Sequence, residues 1–356
     1  MVEEIRVAKG LEGVIVDRTA IATTDREGNL LYRGYRVVDL AEKKDFESVA
    51  YLVFHGKLPS MDEKVQFSEF LVKNSRLDAR VLEVMKLMKE PNIMNDLRSV
   101  VSLSPYSHKT NGELLMEIAA KMPSIIFHSD AAITGRKEIE VPNTTYAERF
   151  FSLLTGNDDR KKAGYLEKLM IMYMEHEFNA STFALRVAAS TLADPVSAVT
   201  AAISTLKGPL HGGANSEILQ YLLKFRSDDE AVSFVMDKLA RKEKIMGFGH
   251  RVYKIKDPRA QYVKSKLRTL REAEKFLSYA EAMENYMWEE KHIPANLDFY
   301  GALLMHTLGI EEKFYLPIFA ASRVFGWSAH YMEQVSDNKI IRPQSEYTGP
   351  VGLEVP

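Results

Sequence analysis

From Val37 onward apolar residues return every three to four positions, the spacing of one helix face, and this holds for most of the chain. AGYLEKLMIMYMEHEF shows it plainly: Leu166, Leu169, Met170, Tyr173 and Met174 share one stripe, and the spacing of His176 from Leu169 extends that stripe toward the interior. The pattern is punctuated at HGKLPS (55–60), KEPN (89–92), VPNTT (141–145) and TGNDD (155–159), where Gly, Pro and Asn stop helices. Only residues 12–35 differ, alternating apolar and polar residues about the turn-forming REGN, which predicts a small β-hairpin region. The chain is therefore expected to be mainly α, with ample length at 356 residues to bury a core. No repeat, low-complexity run or Pro/Ser linker divides it.

Several classes of function fall away early. Lys and Arg number 47 against 49 Asp and Glu, so bulk charge draws the chain to neither nucleic acid nor a membrane surface. With no cysteine, disulfides, thiolate nucleophiles and Cys-based zinc sites are excluded. The acidic start MVEEIRVAKG carries no apolar signal core, and the small-apolar stretch 188–206 is broken by Asp194 and Pro195 into two buried helices. The cytoplasm is the expected compartment. HEFNA (176–180) opens like a zinc-protease helix but ends on Ala180 where the second ligand should stand. GFG (247–249) is too short for a dinucleotide fingerprint, and neither a P-loop nor a GxSxG elbow occurs.

What remains is a set of polar residues at chain breaks in the second half: GPLHGGAN (208–215), MGFGHRVYKIKDPRA (246–260) and HIPANLDFYGALL (292–304). They carry His211, His250 and Asp298. Histidine donates or accepts near neutral pH and an ionised Asp takes a proton, so the three suit acid–base catalysis. They equally suit a His/Asp metal site, and simple structural roles carry the greater weight on spacing alone. Arg259 follows Asp257-Pro258, Arg323 shares a stripe with Trp327 and His330, and Arg342 precedes Pro343. A guanidinium fork matches a carboxylate; for each arginine taken alone, that carboxylate is more readily the protein's own than a ligand's. In GPLHGGAN the glycines after His211 are expected to leave room for a bulky molecule beside the backbone.

Taken together, KGPLHGGAN, MGFGHRVYKIKDPRA, NLDFY and RVFGWSAH…IIRP resemble the citrate synthase family in its shorter archaeal and bacterial form, and KGLEGV…LLYRGY…VAYLVFHGKLPS resembles its opening. The likeness runs in order over nearly the whole chain. It implies a multi-helical homodimer, a large domain (1–213 and 317–356) enclosing a small one (214–316), and an active site between them. It implies condensation of an acyl-CoA with oxaloacetate, with no metal and no cofactor beyond the coenzyme A thioester itself. By position, His211, His250 and Asp298 match the catalytic residues; His176, Arg259 and Arg323 match oxaloacetate ligands, and Arg342 matches the arginine that the partner subunit lends. Gly247, Phe248, Gly249, Arg251, Lys254 and Lys256 match the coenzyme A loop, Lys254 at the phosphate-contacting position. The 2-methylcitrate synthases, which use propionyl-CoA, share these motifs. Two positions depart from the family pattern: Asn92-Ile93-Met94 stands where His-Pro-Met is common, and Gly301 where Ser or Ala is common.

Overall fold

The computed structural model describes residues 7–88, 92–103, 110–137, 144–212 and 214–355. The breaks at 89–91 and 141–143, and Gly213 of GPLHGGAN, lie outside them. The N-terminal hairpin region is a three-stranded antiparallel sheet of β1 (Ala22–Thr24), β2 (Leu30–Tyr32) and β3 (Tyr35–Arg36), with Ala22 opposite Tyr32 and Leu31 opposite Arg36. Its turn is closed by Asp25, whose carboxylate accepts the backbone N–H groups of Glu27 and Asn29.

The rest is helical. The first ten helices are α1 (Val37–Lys43), α2 (Phe46–His55), α3 (Met61–Lys73), α4 (Ala79–Leu87), α5 (Ile93–Leu103), α6 (Asn111–Thr134), α7 (Tyr146–Thr155), α8 (Arg160–Tyr173), α9 (Ala180–Ser190) and α10 (Pro195–Leu206). Then come α11 (Ala214–Leu222), α12 (Asp228–Ala240), α13 (Pro258–Leu267), α14 (Glu274–Lys291), α15 (Leu297–Thr307) and α16 (Tyr315–Ser336). The stretch 188–206 divides as its Asp-Pro predicts: α9 ends, Asp194 accepts the Ser197 N–H as an N-cap, and Pro195 opens α10. No helix among the described residues is long and apolar enough to cross a membrane.

α16 is the axle. Phe325, Trp327, Ala320 and Ala321 are fully buried, and it packs against α2, α6, α8, α9 and α10. Each such large apolar side chain taken from water contributes about 1.5–3 kcal/mol. Phe325 also meets the edge-on rings of Phe46 and Tyr146 at 5.2 and 5.6 Å. Helices α11 to α15 pack chiefly on one another, α12 on α14 and α15 on α11 and α13. The stripe on α8 is buried as its spacing predicts. His176 is buried too, but not on that helix: α8 stops at Tyr173, and His176 lies in the link to α9, where Glu177 takes a left-handed φ of 52°.

Candidate active site

The three glycine- and proline-marked breaks meet the ends of α8, α9, α13, α15 and α16. The central tie is a short antiparallel pairing of two breaks. Asn296 donates its N–H to Gly247 (2.9 Å), Gly249 donates to Pro294 (2.9 Å), and the Asn296 side-chain amide donates to the Gly249 carbonyl (3.1 Å). Gly247 and Gly249 both sit at positive φ, 88° and 81°, which lets the strand-like segment turn tightly enough to pair. Phe248 packs against Phe299 of α15, with ring centroids 4.7 Å apart and the planes tilted by 52°. Asn296 also N-caps α15, accepting the Asp298 N–H at 3.1 Å. His250 and Asp298 are thereby held on one small framework.

Asp257 joins this framework to α13. Its carboxylate caps the helix through the Arg259 N–H, grips the Arg259 guanidinium at 3.0 and 2.8 Å, and accepts the Leu297 N–H at 3.1 Å. Arg259 thus has the intraprotein partner expected of a buried arginine. Arg323 does not: it is 2 % exposed, its Nε donates to the Tyr173 carbonyl at 2.6 Å, and no carboxylate among the described residues lies within ion-pair distance. A buried guanidinium without a counter-ion is costly, and burial pulls its proton affinity down. A ligand carboxylate would remove that cost.

The histidines are held neutral by identifiable groups. The Ser181 N–H, in the first turn of α9, donates to His211 Nε2 at 3.3 Å, and the Ser181 hydroxyl lies 2.9 Å from the same nitrogen. A ring nitrogen that accepts carries no proton, so the His211 proton sits on Nδ1. Burial, with Arg323 nearby, lowers His211 to about 4. His250 has the opposite tautomer: its Nδ1 accepts the Val252 and Tyr253 N–H groups at 3.1 and 3.3 Å, leaving the proton on Nε2. That Nε2 faces Arg259 Nη2 at 3.4 Å, two donors aimed at one place, which an acceptor oxygen from a ligand would satisfy together. Burial and Arg259 lower His250 to about 4 as well.

His176 completes the cluster. Its ring lies 5.0 Å from that of His250, and its buried Nε2 has no hydrogen-bond partner among the described residues. Burial, then Arg259, drives its pKa well below the usual value. Behind it stands a buried relay that sequence spacing did not reveal. Glu175 accepts His330 Nε2–H at 2.9 Å, His330 Nδ1 accepts from Arg186 at 3.1 Å, and Arg186 pairs with Glu333 and Asp17 at 2.7 and 3.0 Å. The hydroxyl of Tyr32, on β2, accepts the Glu175 N–H at 3.1 Å, so the small sheet helps to fix the segment that carries His176.

Gly212 has a different use from the one its sequence context suggests. Its φ is ordinary, but a Cβ there would meet the Leu206 carbonyl and a Leu316 methyl at 2.4 Å each. The absence of a side chain lets the turn after α10 pack tightly, with the His211 N–H bonded back to Gly208 at 2.9 Å. In the loop from Gly247 to Lys256, Arg251, Lys254 and Lys256 are all exposed, and Lys254 donates to the His250 carbonyl at 3.1 Å. Arg342 stands apart, exposed in the extended tail after α16. Ser181, Asp257 and Tyr173 are the site residues not singled out from sequence. Asp257 left the Asp-Pro signal of a helix start and Ser181 lies two residues after the N-cap Asn179, whereas Tyr173 showed only as a position on the apolar stripe.

The family model described as citrate synthase, C-terminal domain, matches residues 10–344. Citrate synthase 2 of Bacillus subtilis is 36% identical over 358 residues, spanning 96% of this chain and 96% of that protein. The 2-methylcitrate synthase of Shewanella oneidensis is 38% identical over 356 residues, spanning 96% of this chain and 94% of that one. Among solved structures, the citrate synthase of Thermotoga maritima superposes with a TM-score of 0.91 at 37% identity, covering 98% of both chains. A ternary complex of carboxymethyl coenzyme A and oxaloacetate with the citrate synthase of Thermoplasma acidophilum gives 0.89 at 30% identity, again covering 98% of both.

Proposed function

Because the chain belongs to the citrate synthase family, we propose that it condenses acetyl-CoA with oxaloacetate and water to give citrate and free CoA. The observation that carries this reading is a set of buried groups with unmet capacity among the described residues, namely Arg323 without a carboxylate, His176 Nε2 without a partner, and His250 Nε2–H facing Arg259, with the Asp298 carboxylate in the field of both arginines. An oxaloacetate dianion supplies the missing acceptors. Asp298 then removes a proton from the thioester methyl while His211 donates from Nδ1 to the thioester oxygen, so charge on the enol is met as it forms. The enol carbon attacks the oxaloacetate carbonyl, whose oxygen takes the His250 Nε2 proton. Water hydrolyses the resulting citryl thioester to citrate and CoA. These steps call on no metal and no resident cofactor.

The mutual packing of α11–α15 supports a small domain, 214–316, that closes on the rest once oxaloacetate binds and completes the acyl-CoA site. The exposed cations Arg251, Lys254 and Lys256 suit CoA phosphates. A cytoplasmic location fits these substrates. Relatives named for citrate and for 2-methylcitrate are equally similar, at 38% each in two cases, so whole-chain identity does not choose the acyl group. Propionyl-CoA is the second reading, since one methyl group in an apolar pocket shifts preference by only about 1–3 kcal/mol.

The test is CoA release followed with a thiol reagent, which the cysteine-free chain leaves uncontaminated. Release that depends on oxaloacetate and persists in EDTA is the expected result, and the two kcat/KM values rank acetyl- against propionyl-CoA. Folded protein that releases no CoA from either thioester removes the reading.

Arg342 is assigned to the neighbouring protomer's site in a homodimer. If so, mixing Asp298→Asn and Arg342→Ala subunits restores activity above either parent, because each mixed dimer regains one intact site. If Arg342 served its own subunit, every mixed dimer would lack an intact site and mixing would restore nothing.

A further inference from the structure

We propose that Tyr173 is the positioning residue for the catalytic carboxylate and that Gly301 exists to admit it; this rests on the synthase reading above. Tyr173 ends α8 and is fully buried. Its hydroxyl donates to Asp298 Oδ1 at 3.3 Å, and no other hydrogen bond to that carboxylate occurs among the described residues. Its carbonyl takes the Arg323 Nε–H at 2.6 Å, and its ring lies on Phe319 with centroids 4.7 Å apart. One residue therefore touches both the base and an arginine assigned to the substrate. With Oδ1 engaged, Oδ2 is the oxygen left to take the proton. The bond is longer than a mature O–H···O contact, as catalytic hydrogen bonds are before substrate binds.

Gly301 lies one helical turn beyond Asp298 on α15. A Cβ there would stand 2.6 Å from the Tyr173 hydroxyl oxygen, yet 3.5 Å from the ring carbon that bears it and 3.4 Å from a Leu169 methyl. The collision is with the hydroxyl, not the ring. The departure at 301 noted in the sequence is thus tied to a tyrosine that reaches the base through the space a side chain would fill.

The hydroxyl stabilises the charged carboxylate, and burial opposes it. The charged groups bearing on Asp298 are Arg259 and Asp257 from α13 and its cap, and Arg323 from α16. Glu284 of α14 is engaged by Lys264 and Tyr300, and the exposed Glu217 of α11 by Tyr221. Removing the hydroxyl leaves those charges in place and makes the carboxylate easier to protonate.

The experiment compares Tyr173→Phe, Gly301→Ala and the double variant, using kcat/KM for the acyl-CoA at saturating oxaloacetate across pH. Tyr173→Phe should move the acid limb upward by about one unit, lower the plateau about three- to tenfold through lost orientation, and leave the oxaloacetate KM within about twofold, since the binding arginines remain. Gly301→Ala should cost about tenfold or more alone and less than about twofold when added to Tyr173→Phe, as contacting sites couple. An unmoved acid limb in Tyr173→Phe overturns the proposal, as does an equal Gly301→Ala cost in both backgrounds. These outcomes require an active wild type, so they cannot be confused with failure of the synthase reading.

Discussion

Asp298→Asn is expected to lower kcat by about 10³–10⁴ while the oxaloacetate KM stays within about threefold, the loss typical of deleting a general base. The amide has the shape of the carboxylate and can still accept the Tyr173 hydroxyl and keep its place in the first turn of α15. What it lacks is the capacity to take a proton. The groups proposed to meet oxaloacetate, Arg259, Arg323 and the histidines, make no hydrogen bond to Asp298 among the described residues, so its binding should survive. The unfolding midpoint should hold or rise slightly, because burial already works against the charged carboxylate. Thiol release under saturating substrates, with a parallel melting curve, checks both expectations. Turnover near the wild-type rate would remove Asp298 as the base, whatever the fate of the rest of the site.

Most of the architecture was legible because it depends on local chemistry. Helical spacing and Asp-Pro, Asn and Gly punctuation act within a few residues, so α8, the division of α9 from α10 and the N-terminal hairpin could be read directly. The side chains proposed for the chemistry were legible only as candidates. His211, His250 and Asp298 stood out by sitting at breaks, but only a structure shows that the breaks at 247–249 and 294–296 pair with each other. Arg259 and Arg323 looked alike in sequence; Asp257 neutralises the first, while the second has no carboxylate within ion-pair distance among the described residues. Gly212 was read for the room it gives a ligand, whereas its neighbours are Leu206 and Leu316 of the protein itself. Tyr173 was hidden for the opposite reason. Its place on an apolar stripe was correct for its ring and silent about its hydroxyl, which reaches a residue 125 positions away.

His211→Ala is expected to reduce kcat by about 10²–10³, the loss that follows removal of one preorganised donor at a developing oxyanion. Which nitrogen bears the proton decides the role of this ring. Because the α9 N-terminus supplies the donor to Nε2, the ring is fixed as a neutral Nδ1–H tautomer, and with its pKa near 4 it remains so across the physiological range. A neutral donor stabilises an enol without being a strong enough acid to protonate the thioester outright, the balance this step requires. Neither His211 nor His250 charges until pH approaches 4, so an acid loss of activity that sets in above that pH should track Asp298, whose carboxyl burial pushes up, rather than either of these histidines. The turn itself is held by backbone bonds to Gly208, so the alanine variant should fold and bind oxaloacetate nearly as well as wild type. If His211→Ala instead raised the oxaloacetate KM and spared kcat, the residue would belong to the binding shell, and the donor for the thioester would have to be sought among the remaining groups that face Asp298.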